Sequence, residues 1–392
     1  MQKSFQFDYD NSLVSRSSLM QKSFQFDYDN SLVSISNSLL KHYHVDTFHP
    51  SLKILDERLA KNYKNVIFMI LDGMGTDLIE QNLPETSFIR QHISAQIFSV
   101  FPPTTTAATT ACHSGLTPYE SGWLGWSSYY KQYDEIIENF LNTACYSGKK
   151  LQTPPPATDI LKYETIYDKI TARNPSVEFH KIQKFDRNDP LDFKAFCEQI
   201  LSLCKQNDHS KLLAAYWIEP DASAHKHGSY SQEIKDILSD LDIHLKALAD
   251  RLEDSLLIIT ADHGEIDVEE ISLNDYPDLC QMLIRPPALE SRFITFFVKE
   301  NALNDFQTCF NRLFSDDFRL FTKDEFLKTG IIGNGKMHFM VPDFLGDFVA
   351  IAYGKRALRY FTGERDPILF KANHSGMTSK EMCVPLLMIE KP

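Results

Sequence analysis

Three short apolar stretches in this chain each run into an aspartate, and that pattern restricts the fold more than any other feature. Asn65–Leu71 reads NVIFMIL and ends in Asp72-Gly73-Met74-Gly75. LLAAYWIEP leads into Asp221, and SLLIITADHGE carries Asp262 and His263. Runs of about seven consecutive apolar, β-branched-rich residues suit strands buried on both faces of a parallel sheet. Polar residues just after them lie at the strands' carboxyl ends, where open α/β sheets bind their ligands.

The segments between these runs read as helices. SQEIKDILSDLDIHLKALADRLED places Ile234, Ile237, Leu238, Leu241, Leu245, Leu248 and Leu252 three or four apart, on one face of a long amphipathic helix. AQIFSVFPP reads as a strand that stops at Pro102-Pro103, and TTTAATTACHSG as a helix beginning at the threonines. EMCVPLLMIEK reads as a last strand. This alternation predicts an α/β/α sandwich around a mainly parallel central sheet. Residues 61–392 are expected to form the catalytic domain. Two stretches break the rhythm, one near 131–184 with the linker TPPPATD and one near 273–360; the second predicts an inserted subdomain that shapes the pocket.

MQKSFQFDYDNSLVS occurs at Met1–Ser15 and again, unchanged, at Met20–Ser34. One perfect copy is not a solenoid array. It reads as a duplicated start within an N-terminal extension of residues 1–60. The second copy continues through Ile35–Leu55, which is expected to cap the domain.

The net charge is −13, which argues against a nucleic-acid-binding surface. It would also repel a phosphorylated substrate unless bound cations reversed the field locally. Seven widely spaced cysteines without a CxxC pair read as reduced thiols, and a cytoplasmic location is the expectation. The polar N-terminus has no apolar core of a signal peptide, and no apolar run reaches the length of a membrane span. Nothing in the sequence speaks to oligomeric state.

Taken together, the polar stops LDGMG, EPDASAHKHG, TADHGE and ANHSGMT supply Asp72, Asp221, His225, Asp262, His263 and His374. Carboxylates plus imidazoles suit zinc, with manganese or iron as alternatives. Three aspartates and three histidines divide into two sites, and two divalent ions are the expected cofactors. The spacing of Asp221 and His225 puts both on one face of a helical turn. Asp262 and His263 are neighbours and reach one ion only if the backbone turns. A hydroxyl on this edge would serve as nucleophile, and Thr104, Thr105 and Thr106 stand at a helix start, facing free N–H groups and the positive end of the dipole. Each motif has a plainer reading: a turn after a strand for Asp72-Gly73, a helix cap for the threonines. Cys112, His113, His227 and His244 read as bystanders. Trp123, Trp126 and Tyr129 could stack a base or fill a core.

The stretches VIFMILDGMG, SVFPPTTTAATTACHSG, YWIEPDASAHKHG, LLIITADHGE and ANHSGMTSKEMCVPLL resemble the alkaline phosphatase superfamily. Within it they resemble the type I phosphodiesterase/nucleotide pyrophosphatase family, as a bacterial-type member. The resemblance implies an alkaline phosphatase-like fold and two zinc ions, one held by Asp221, His225 and His374 and the other by Asp72, Asp262 and His263. It selects Thr105 as nucleophile, ten residues before Gly115, and as a further contact of the second ion. It implies a metal-dependent hydrolase acting on a small phosphorylated substrate, a nucleotide among the candidates, through a phospho-threonine. Ala108, three residues after Thr105, departs from the pattern and leaves diester against monoester preference open. A phosphomonoesterase or phosphonate hydrolase, or a metal-dependent phosphomutase, would use a related site.

Overall fold

The computed structural model describes residues 26–151, 154–186, 189–364 and 368–392. The first copy of the N-terminal repeat lies outside them.

A six-stranded sheet forms the centre, in the order Ile93–Phe98, Cys383–Lys391, Ser255–Thr260, Asn65–Leu71, Lys211–Trp217, Glu178–Lys184. The last four in that order run parallel. The C-terminal strand runs antiparallel to both its neighbours, so the sheet is mixed. The three apolar runs are buried along their whole length, as strands covered on both faces must be. Helices Leu32–His42, Thr105–Ser114 and Ile166–Arg173 pack on one another, and Gln232–Ala249 packs with Phe193–Lys205 and Phe88–His92. Ile93–Phe98 is an edge strand and alternates in burial accordingly. It ends at Phe98, before the prolines, because Ser99 N–H turns to the Met382 carbonyl at 2.8 Å.

The parallel register sets the site. Leu71 pairs with Trp217, and Ile70 with both Tyr216 and Thr260. Asp72, the turn before Asp221, and Asp262 therefore emerge side by side from one edge of the sheet.

The stretches expected as two insertions meet in a single structure. A seven-stranded antiparallel sheet runs Phe318–Thr322, Phe348–Ala352, Phe293–Phe296, Ala288–Leu289, Ser127–Tyr130, Glu135–Glu138, Thr143–Ala144. The two parts join where Leu289 pairs with Ser127. Ile166–Arg173 and Glu178–Lys184, inside the stretch 131–184, belong to the central layers instead. A separate apolar cluster beneath the second sheet contains Phe296, Phe306, Phe310, Phe314, Phe318 and Phe348, which accounts for the phenylalanine-rich segment.

The described part of the second copy, from Phe26 on, enters the fold. Phe26 is fully buried, and helix Leu32–His42 lies against the threonine helix. Ser36 Oγ donates to the Cys112 carbonyl at 2.7 Å, and Asn37 Nδ2 to the Gly115 carbonyl at 3.1 Å, so this segment fixes the far end of the helix that begins at Thr105.

Candidate metal centre

Asp221 opens a helix, Asp221–His227, which brings His225 onto the same face one turn later. Their facing atoms, Asp221 Oδ1 and His225 Nε2, are 3.3 Å apart. His374 Nε2 lies 3.7 Å from the same oxygen. His374 follows a short strand, Ala372–Asn373, whose pairing with Ile266–Asp267 ties it to the loop after Asp262 and His263. On the other side, His263 Nε2 is 3.3 Å from Asp72 Oδ1 and 3.6 Å from Asp262 Oδ2, so the backbone does turn between the adjacent pair. The six side chains are thus brought together. Among the described residues, two groups have ligand atoms all within 4.8 Å of one another: Asp221, His225 and His374, and Asp72, Asp221 and His263. Asp221 belongs to both, whereas the division that the resemblance implies gives it to one.

The imidazoles are oriented from behind. His225 Nδ1 faces the Ala372 carbonyl at 2.8 Å, His263 Nδ1 that of Gly264 at 3.1 Å, and His374 Nδ1 that of Pro103 at 3.2 Å. A carbonyl can only accept, so each Nδ1 carries the proton and each Nε2 presents a lone pair to the cluster. Burial, then His263 and His225, lowers the His374 pKa well below the usual histidine range, which favours that neutral form.

The carboxylates are oriented as well. Asp262 Oδ1 accepts the backbone N–H groups of Gly73 at 3.1 Å and His263 at 3.0 Å. The Tyr216 hydroxyl donates to Asp72 Oδ2. That leaves Asp72 Oδ1, Asp221 Oδ1 and Asp262 Oδ2 buried without a hydrogen bond. Glu265 adds a fourth buried carboxyl group, with neither oxygen hydrogen-bonded. Among the described residues no lysine or arginine forms an ion pair with any of the four. Burial, then the charges of Asp262 and Asp221, pushes the Asp72 pKa well above the carboxylate range; burial and Asp221 do the same to Glu265. Unpartnered buried carboxylates facing neutral imidazole lone pairs are costly without a cation and suited to one. The donor set fits divalent metal.

Thr105 is the first residue of its helix, with Thr104 as N-cap. Thr105 Oγ1 lies 3.2 Å from His263 Nε2, at the edge of the cluster. Thr106 Oγ1 is buried, and Thr104 Oγ1 donates to Glu290 Oε1 at 2.6 Å. Of the three, Thr105 is the hydroxyl the structure brings to the metal centre. A cavity of about 410 Å³ opens over Thr105, Asp221, His225 and His374. Trp126 lines it; Trp123 is buried and hydrogen-bonded to Leu161, and Tyr129 packs on Phe297. Ala108 is fully buried in the core and does not line the cavity.

The bystanders lie outside the cluster. His113 is half-buried beside the Tyr167 hydroxyl at 3.1 Å, His244 pairs with Asp240, and Cys112 is core. The seven cysteines are all free. No described helix is long and apolar enough to cross a membrane. Sequence reading missed Glu265, Tyr216 and Glu290. Glu265 stood in the TADHGE motif, and its place one residue after a strand-end glycine was the available signal. Tyr216 lay inside an apolar run that reads as core, and Glu290 in a segment without a motif.

The fold is shared with solved structures. Mouse ectonucleotide pyrophosphatase/phosphodiesterase 5 superposes with a TM-score of 0.60 at 17% identity, over 82% of this chain and 87% of that one. An inactive threonine-to-alanine form of the same mouse protein, in complex with AMP, gives the same values. The human protein gives 0.58 at 15% identity, over the same shares. No curated protein matches the chain. The family profile described as type I phosphodiesterase/nucleotide pyrophosphatase matches residues 66–305. That span carries the first three ligand motifs and Thr105, and the chain belongs to the type I phosphodiesterase/nucleotide pyrophosphatase family, as a hydrolase of phosphate esters.

Proposed function

We propose that this protein is a two-metal phosphodiesterase that works through a phospho-threonine on Thr105. One observation carries the reading: Thr105 Oγ1 stands 3.2 Å from His263 Nε2, where inward-facing imidazole nitrogens and unpartnered carboxylate oxygens converge beneath an open cavity. Asp221, His225 and His374 would hold one ion and Asp72, Asp262 and His263 the other, with Asp221 placed close to both. Zinc suits these donors best. Bound there, divalent cations would supply Lewis acidity and favour the ionised threonine.

The chain's own residues then align the reaction. Thr105 Oγ gives up its proton to cavity water and attacks phosphorus, a P–O bond to the leaving group breaks opposite it, and the departing oxygen takes a proton from that water. Water next attacks the phospho-threonine, and the bond between Oγ and phosphorus breaks, restoring the hydroxyl. Free N–H groups at the start of the Thr105–Ser114 helix face the negative charge that builds in both steps. A small nucleotide is one supported substrate class, since the mouse relative binds AMP.

The test is cleavage of bis(4-nitrophenyl) phosphate and 4-nitrophenyl phosphate by zinc-loaded protein, beside Thr105→Ala. Diester cleavage that disappears in the variant while zinc stays bound supports the reading. Activity that survives in the variant removes the covalent step, and dominant monoester cleavage moves the assignment to a phosphatase.

A further inference from the structure

The cavity wall facing Thr105 holds a carboxylate that the chemistry above does not use. Glu290 Oε1 accepts from Thr104 Oγ1 at 2.6 Å and from the Trp126 backbone N–H at 2.7 Å, which fixes it one residue from the nucleophile. Glu290 lines the same cavity as Thr105 and His374. Among the described residues it forms no ion pair. The one arginine of the cavity wall among the described residues, Arg359, is engaged by Glu270 at 3.2 Å and lies over the Phe370 ring at 4.4 Å.

The backbone leading to Glu290 is unusual in a way that serves this placement. Leu289 has φ of 73°, the left-handed region that branched side chains rarely adopt. Gly125 allows the approach, because a Cβ there would stand 3.1 Å from the Leu289 Cα. An energetically disfavoured residue held by its surroundings beside a reactive centre points to a constraint from function.

We infer that Glu290 is a specificity-determining residue, a fixed carboxyl group that, when ionised, admits phosphodiesters and disfavours phosphomonoesters. This rests on the proposed function. A diester carries one negative charge at phosphorus, and an uncharged ester group replaces the third oxygen. A monoester dianion brings that oxygen and a second charge into a cavity whose wall already carries a carboxylate. Discrimination by like-charge repulsion does not require a favourable contact with the preferred substrate. The rest of the wall agrees. Trp126, Leu289, Ile294, Leu358 and Phe370 offer apolar surface for a second ester substituent, and no lysine among the described residues lines the cavity.

The experiment uses the zinc-loaded full chain at pH 9, where the carboxylate and the monoester are both ionised. kcat/KM is measured for bis(4-nitrophenyl) phosphate and 4-nitrophenyl phosphate in wild type, Glu290→Gln and Glu290→Ala. Glutamine keeps an acceptor for Thr104 and Trp126; alanine removes it. Both neutral variants are expected to raise the monoester-to-diester ratio at least tenfold. A ratio that stays put in both, or rises in alanine alone, overturns the inference while diester cleavage by wild type leaves the proposed function standing. A wild type that cleaves neither ester overturns both.

Discussion

Arg292 and Glu381, both without exposed side-chain surface, form a two-point pair, Nε to Oε1 at 2.7 Å and an Nη to Oε2 at 2.9 Å. Glu381 also accepts the Gly376 N–H at 2.7 Å and the Thr378 hydroxyl at 2.6 Å, while Arg292 donates to the Gly354 and Arg356 carbonyls. The pair therefore ties the loop after His374 to the second sheet. Arg292→Met leaves a buried carboxylate without its cation, which typically costs about 3–5 kcal/mol. Denaturant unfolding should show that loss, and replacing both partners by apolar residues should recover part of it. A single variant as stable as wild type would mean that water reaches the pair.

Thr105 is the residue whose loss separates chemistry from binding. On the proposed mechanism, Thr105→Ala removes the attacking oxygen but none of the six aspartate and histidine side chains, so kcat should fall by about 10³-fold or more. Zinc content, read by elemental analysis, should remain. Thr105→Ser keeps a hydroxyl and should retain measurable turnover. Loss of zinc in the alanine variant would show instead that Oγ1 is needed to hold the ion.

The sequence shows the candidate metal ligands more clearly than it shows the pocket, for a physical reason. Asp72, Asp221 and Asp262 follow runs whose unbroken apolarity is forced by burial on both faces, and parallel register places their ends together. Helical spacing was enough to pair Asp221 with His225. Glu290 reaches Thr104 only because residues far apart in the chain, Leu289 and Ser127, pair in the second sheet. Such a contact leaves no periodicity to read. The division of ligands was partly legible: the backbone turn that unites Asp262 and His263 was foreseen as a requirement, but the position of Asp221 between both groups depends on distances that spacing does not encode.

Metal removal should have a pH-dependent cost. Burial, then neighbouring negative charge, raises the folded-state pKa values of Asp72 and Glu265, and burial raises that of Asp262. For a carboxyl group with a raised folded pKa, the stabilising contribution is fully present below its unfolded pKa of about 4. It is lost as pH climbs toward the folded value. Metal-free protein is thus penalised more at pH 8 than at pH 5, while bound cations relieve the repulsion and bind more tightly as protons leave. The gap in melting temperature between zinc-loaded and chelator-treated protein should widen from pH 5 to pH 8. A gap that narrows would contradict the placement of ionised carboxylates around the ions.

Asp221 should prove the most consequential ligand. Its Oδ1 lies 3.3 Å from His225 Nε2 and 3.7 Å from His374 Nε2, and its carboxylate also falls within 4.8 Å of the Asp72 and His263 ligand atoms. His225 belongs to one of these groups only. Asp221→Asn removes a charge shared by both sites but keeps the shape of the side chain. Titration with zinc should then show both binding steps weakened, by about 10-fold or more if the loss matches that of a perturbed ligand shell. His225→Ala should weaken one step and leave the other within error. Equal effects of the two substitutions on both steps would mean that the sites bind as one cooperative unit, and the assignment of His225 to a single ion would have to be abandoned.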